Sequence, residues 1–212
     1  MSWVESQIKI DGCRRCEEAS VPNVQVPSEN KRHPAYPPPL PTRIFFVSVA
    51  PPWGGAYFWD ETKSDRVREG LFRALYSATG EDFLSVDDFY RAGYFLVPGV
   101  KCPSQIENKD CLPHAAAISN CTHHLHSEML IARPKRILAL GLSAMKAVSL
   151  TCGLKIPAKV DEICQNLWWA RFDDFLVPIA GTYFPGNNRH RGFNRIQESI
   201  RSLLEHEPRF ID

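Results

Sequence analysis

From Arg43 onward the chain alternates short, almost uninterrupted apolar runs with longer stretches of helical period, and this alternation restricts the fold more than any other feature. Arg43-Ile44-Phe45-Phe46-Val47-Ser48-Val49-Ala50 is rich in β-branched and aromatic residues and has no polar stripe, as expected of a strand covered on both faces. Gly93 to Val97, Ile137 to Leu140 and Phe175 to Ala180 read the same way. Between them, Ser64 to Ala78 carries Val67, Leu71, Leu75 and Ala78 at helical spacing, with Gly80 as its stop. Pro113 opens a stretch with Ala117, Cys121 and Leu125 at i, i+4, a further helix starts at Ser143, and Asn194 to Leu204 closes the chain as another. Strands separated by helices predict an α/β fold: one three-layer domain with a central, mostly parallel sheet between helices.

In such a sheet ligands bind beyond the carboxyl ends of the strands. Three loops fall there: Ala50 to Trp59, Pro98 to Cys111 and Gly181 to Phe193. The first crowds Trp53, Tyr57, Phe58 and Trp59 behind Ala50 and Pro51, and such rings can stack a planar base. The third, Gly181-Thr182-Tyr183-Phe184-Pro185-Gly186-Asn187-Asn188-Arg189-His190-Arg191-Gly192, joins permissive backbone to cations suited to phosphate. His190 is also a candidate acid or base near neutral pH.

Four separated cysteines form the second constraint. Cys13 and Cys16 make a Cys-x-x-Cys pair, Cys102 ends Val100-Lys101-Cys102, and Cys121 follows about five helical turns later. Two thiolates from one turn and two from distant positions can close a four-cysteine site for zinc or for an iron–sulfur cluster. Cys111 stands between the last two as a rival ligand, whereas Cys152 and Cys164 read as buried thiols. No apolar run is long enough for a membrane span, and Met1-Ser2-Trp3-Val4-Glu5 lacks the start of an export signal. Seven cysteines then point to a reducing compartment, with the cytoplasm as the expected location. A formal charge of +1 means that any nucleic-acid surface is a local patch. The proline-dense Pro34-Ala35-Tyr36-Pro37-Pro38-Pro39-Leu40-Pro41 divides an N-terminal arm, residues 1–42, from the α/β domain, residues 43–212.

In this order the segments resemble the uracil-DNA glycosylase superfamily, most closely its iron–sulfur family 4. That family runs from a Cys-x-x-Cys through a strand ending in Gly-Glu-Ala-Pro-Gly to Asn-Val-Val-Lys-Cys. A second cysteine, Pro-Lys-x-Ile-x-x-Leu-Gly-x-x-Ala and Thr-Tyr-His-Pro follow. Cys13, Cys16, Ala50-Pro51, Val100-Lys101-Cys102, Cys121, Pro134-Lys135 through Leu140-Gly141 with Ala144, and Thr182-Tyr183 with Pro185 stand at the matching places. The resemblance implies a DNA partner, hydrolysis of the N-glycosidic bond of a deaminated or damaged base, and action as a monomer. It also implies a 4Fe-4S cluster on Cys13, Cys16, Cys102 and Cys121, with Cys111 as a variant ligand and zinc as the alternative metal. Tyr57, Phe58, Ala50 and Pro51 would hold the base, Arg189 and Arg191 the DNA backbone. The family's acid falls on Val49, its base-reading asparagine on Pro98 and its histidine on Phe184. His190 or Asn187 would then stabilise the departing base, and base specificity would be altered. The alternative is an inactive DNA- or nucleotide-binding relative that keeps the fold and the cluster.

Overall fold

The computed structural model describes residues 1–25, 36–52, 58–172, 175–186 and 190–210. Its centre is a sheet containing β1 (Ile44–Ser48), β2 (Tyr94–Pro98), β5 (Ile137–Leu140), β6 (Leu167–Phe172) and β7 (Phe175–Thr182), ordered β2-β1-β5-β7-β6. The first four strands in that order run parallel, with Phe45 level with Phe95 and Ile137, and Ile137 level with Ile179. Strand β6 returns antiparallel to β7, and a short β8 (Arg209–Phe210) adds to β7. A hairpin of β3 (Gln105–Ile106) and β4 (Lys109–Asp110) stands apart from the sheet. The expected mostly parallel three-layer fold is what forms.

Every residue of β1, β2 and β5 is buried, and side-chain alternation divides each run between two cores. Phe45, Val47, Phe95, Val97, Ile137 and Ala139 face one layer, which holds α5 (Ala115–Ala132) and α6 (Leu142–Cys152). Ile44, Phe46, Tyr94, Leu96, Leu138 and Leu140 face the other, with α3 (Arg66–Thr79), α4 (Val86–Arg91) and α8 (His190–Leu204). Both layers are apolar, so the sequence shows no polar stripe.

Local signals set the helix ends. Asp65 caps α3 by accepting the Arg68 amide at 2.7 Å, and Gly80 ends it in the left-handed region at φ 77°. His114 caps α5, accepting the Ala116 amide at 3.2 Å, so the helix opens after the expected Pro113. Arg136 is buried beside the end of α8; its Nε donates to the Leu203 carbonyl at 3.0 Å and the His206 carbonyl at 2.8 Å. The N-terminal arm docks on the sheet: α1 (Trp3–Asp11) begins in a Ser2/Glu5 capping box and sends Trp3 edge-on against Phe95. A four-residue α2 (Arg15–Glu18) follows, and Val24 bridges to Ser104, tying the arm to the segment after β2. No described helix is long and apolar enough to cross a membrane.

Candidate active site

A cleft of about 760 Å³ opens at the carboxyl ends of β1, β5 and β7. Val49 to Pro52 enter it after β1, Gly141 to Ser143 after β5, and Tyr183 and Phe184 after β7. The hairpin contributes Ser104 and Asp110 to Leu112, and the start of α7 (Val160–Ile163) contributes Ala158 to Asp161. The first-strand loop and the Tyr183 loop therefore share one cleft, as the parallel sheet requires.

Close backbone contacts fix this arrangement. Gly141 sits at φ 95°, and a Cβ there would come within 3.3 Å of Phe184 Cβ. A Cβ on Gly70 of α3 would meet the Pro185 carbonyl oxygen at 2.4 Å, so bare backbone lets the helix brace the β7 loop. A Cβ on Gly181 would lie 2.4 Å from Ile163 Cγ2, so the missing side chain lets α7 pack against β7. That packing brings Asp161 to Tyr183, whose hydroxyl donates to Asp161 Oδ1 at 2.7 Å. Lys146 and Lys159 add cations to the lining, while Val49, Leu142 and Phe184 make part of it apolar.

Among the sequence-predicted base-binding residues, Ala50 and Pro51 line this cleft. Phe58 does not. Its side chain is buried among Trp59, Phe72 and Phe89, with ring centroids 5.1–5.9 Å away, and it belongs to the core. The expectation of an open Phe58 ring face is corrected accordingly: the ring is occupied on several sides by other rings. Its neighbour Trp59 donates Nε1–H to the Leu96 carbonyl at 3.0 Å, which pins the loop to β2. Tyr57, Asn187 and Arg189 lie outside the described residues, as do the side chains of His190 and Arg191, at the start of α8. Val49 and Phe184 line the cleft, but Pro98 is not part of the lining. The Pro98 carbonyl instead accepts Lys101 Nζ at 2.5 Å.

Three of the seven cysteines gather in one region. Cys16, Cys102 and Cys121 are buried where the arm meets α5 and the end of β2. Asn120 Nδ2 lies 3.6 Å from Cys16 Sγ, and the Lys101 amide lies 3.4 Å from Cys121 Sγ. Burial pushes the Cys121 thiol up to about 12, and the nearby Cys102 and Cys16 add to that effect. Beside them Lys101 and Glu128 form a buried ion pair. Cys13 precedes α2, whereas Cys111 lines the cleft. Among the described residues, no group of three or more His, Cys, Asp or Glu side chains is close enough to hold a metal ion. The donors offer the soft thiolate chemistry of a cluster, yet they do not stand as a closed single-ion site.

Sequence reasoning missed Asp161, Lys146 and Lys159 as members of the cleft. Asp161 lies in a four-residue helix with no hydrophobic period to mark it. Its signal is tertiary: α7 reaches β7 only because residue 181 is glycine.

A doubly wound sheet with a cleft at its strand ends defines an α/β ligand-binding protein. The family model of the uracil DNA glycosylase superfamily matches residues 34–191, a span that contains the sheet's parallel strands and all of the cleft. The chain belongs to that superfamily. No curated protein matches it.

Proposed function

We propose that this protein binds DNA across the cleft and hydrolyses the N-glycosidic bond of a deaminated or damaged base, with a base preference other than strict uracil reading. The observation that carries this proposal is the cleft itself, which lies within the superfamily match at the carboxyl ends of β1, β5 and β7. A flipped base needs a pocket with limited access, and backbone phosphates need cations nearby. Lys146 and Lys159 supply two such cations. Val49 and Phe184 present apolar surface where the resemblance expects an acid and a histidine, which motivates the altered preference. Uracil selection requires buried partners for the base edge, and these two side chains offer none.

The experiment is base release from oligonucleotides carrying uracil, hypoxanthine or xanthine. Slow release with a preference away from uracil supports the reading; efficient, uracil-selective release overturns the altered preference. Tight DNA binding without release of any base favours the second reading, a binding relative without hydrolysis, to which Val49 and Phe184 also point.

A 4Fe-4S cluster on Cys13, Cys16, Cys102 and Cys121 belongs to the same proposal. Its support is the shared burial of Cys16, Cys102 and Cys121 and the amide N–H directed at Cys121 Sγ. Bound there, the cluster would tie the arm to α5 and to the end of β2. Anaerobic purification followed by iron, sulfide and zinc analysis tests it; a colourless protein with stoichiometric zinc would replace the cluster with the alternative metal. Such thiol chemistry suits a reducing compartment such as the cytoplasm.

A further inference from the structure

We propose that Asp161, held in place by Tyr183, is the carboxylate that activates water and stabilises positive charge in this cleft. The inference rests on the glycosylase reading above and assigns to it a residue outside the motifs that carry the resemblance. Three observations meet at this position. First, residue 49 is valine, so the end of β1 brings no carboxylate into the cleft. Second, among the described residues the cleft lining contains two carboxylates, Asp110 and Asp161, which differ in setting. Asp110 is exposed at the end of a two-residue strand in the outlying hairpin. Asp161 is half-buried, and the Tyr183 hydroxyl fixes one of its oxygens at 2.7 Å. Third, that fixation is built into the fold. Ile163 packs over Gly181, where a Cβ would be only 2.4 Å away, locking α7 to the strand that ends in Tyr183 and Phe184.

The chemistry needs a group of this kind. Cleavage of a glycosidic bond passes through an oxocarbenium-like state with positive charge on the sugar, and a fixed carboxylate stabilises that charge. In the balanced step, the oxygen of water forms a bond to C1′ as the C1′–N bond breaks. The bonding pair leaves with the base nitrogen, and a proton from the water passes to Asp161. Tyr183 is a positioning residue: its hydrogen bond sets the carboxylate's orientation without touching the reacting atoms.

The test uses the full chain and two independent readouts. One is single-turnover base release from the oligonucleotide panel. The other is affinity for duplexes carrying either a cationic pyrrolidine or a neutral tetrahydrofuran in place of the target sugar, which reads the carboxylate without any hydrolysis. Asp161→Asn is expected to lower the single-turnover rate constant by about 100-fold or more with the half-saturating concentration little changed, as expected for loss of an acid–base group. It should also abolish the preference for the cationic duplex. Asp161→Glu should retain that preference, and Tyr183→Phe should reduce the single-turnover rate constant about tenfold, the scale of one hydrogen bond to a charged group. Glu162→Gln removes the same charge one residue along α7, outside the cleft lining but paired with Lys159 at 3.8 Å; it can change affinity for both duplexes alike, and should leave the rate of base release and the cationic preference unchanged.

If Asp161→Asn folds, binds both duplexes and keeps the cationic preference, the assignment is overturned while the DNA-binding reading stands. Equal losses in Asp161→Asn and Glu162→Gln overturn it as well, because they would mark a general charge effect. Failure of the unmodified protein to bind any of the duplexes overturns the glycosylase reading and the assignment together.

Discussion

The two sides of the sheet are built from the same strands but do different work. One side is a layer of rings: Phe46, Phe58, Phe83 and Tyr94 pack with Phe89 of α4, and Phe72 of α3 stacks on Phe89 at 5.5 Å. The other side carries Trp3 of α1, Cys16 of α2 and Cys121 and Met129 of α5, with a charged pair, Lys101 and Glu128, buried beside them. Phe58 and Trp59, at the end of the loop after β1, belong to or pack against the ring layer, so these two aromatic residues are structural. On the thiol side, polar and ionisable groups are buried together, an arrangement whose cost only specific pairing offsets. Residue type alone therefore misleads at Phe58, whose ring serves the core.

The largest effects should come from striking each layer at its centre. Phe58→Ala removes a ring packed against three others and should cost about 3–5 kcal/mol of stability. Denaturant unfolding reads this directly. An unchanged unfolding midpoint with weakened DNA binding would instead return Phe58 to the cleft. On the opposite side, Lys101→Met leaves the fully buried Glu128 without its cation, and breaking such a pair costs about 3–5 kcal/mol. Adding Glu128→Leu should recover much of that loss; a double variant as unstable as the single would show that the pair is not the source.

This contrast also separates what the sequence could disclose from what it could not. The buried strands were legible because burial on both faces leaves continuous apolar runs at Ile44–Ser48, Tyr94–Pro98 and Ile137–Leu140. Strand β6 was not, since its exposure alternates imperfectly from Leu167 to Arg171, and the short α7 has no period at all. The loops of the cleft were legible from topology, because strand ends in a parallel sheet share one edge. Its side chains were only partly so. Whether Phe58 turned into the cleft or into the core depended on Phe72 and Phe89, two rings from other helices. Asp161 became a cleft residue through Gly181, twenty positions later in the chain.

A smaller effect should sharpen the link between the ring layer and the cleft. In Gly70→Ala the new Cβ meets the Pro185 carbonyl oxygen, a backbone atom that cannot rotate away. Overpacking of this kind costs about 1–3 kcal/mol, offset in part by about 1 kcal/mol from alanine's better helix propensity. The thermal midpoint should fall modestly, and affinity for DNA should fall with it as the Tyr183–Pro185 segment shifts. A variant with lowered stability but unaltered binding would show that α3 supports the fold without shaping the cleft.

The smallest expected effect lies on the thiol side, away from the proposed ligands. Cys152 ends α6, the helix whose first turn lines the cleft, and burial pushes its thiol up to about 12. An unfolded cysteine ionises near pH 8.5, roughly the value in open peptides. Because the folded value is the higher one, the stabilisation is fully present below the unfolded value and is lost as pH rises towards the folded value. Cys152→Ala removes that dependence. The stability gap between the unmodified protein and Cys152→Ala should therefore shift against the unmodified protein as pH rises through about 8.5 towards 10, within the window between the two values. In the same window Cys152 should react with an alkylating agent more slowly in the folded chain than in urea, because the thiolate is the reactive form. A gap that stays constant with pH, together with equal alkylation rates in both states, would show that the end of α6 does not shield its thiol.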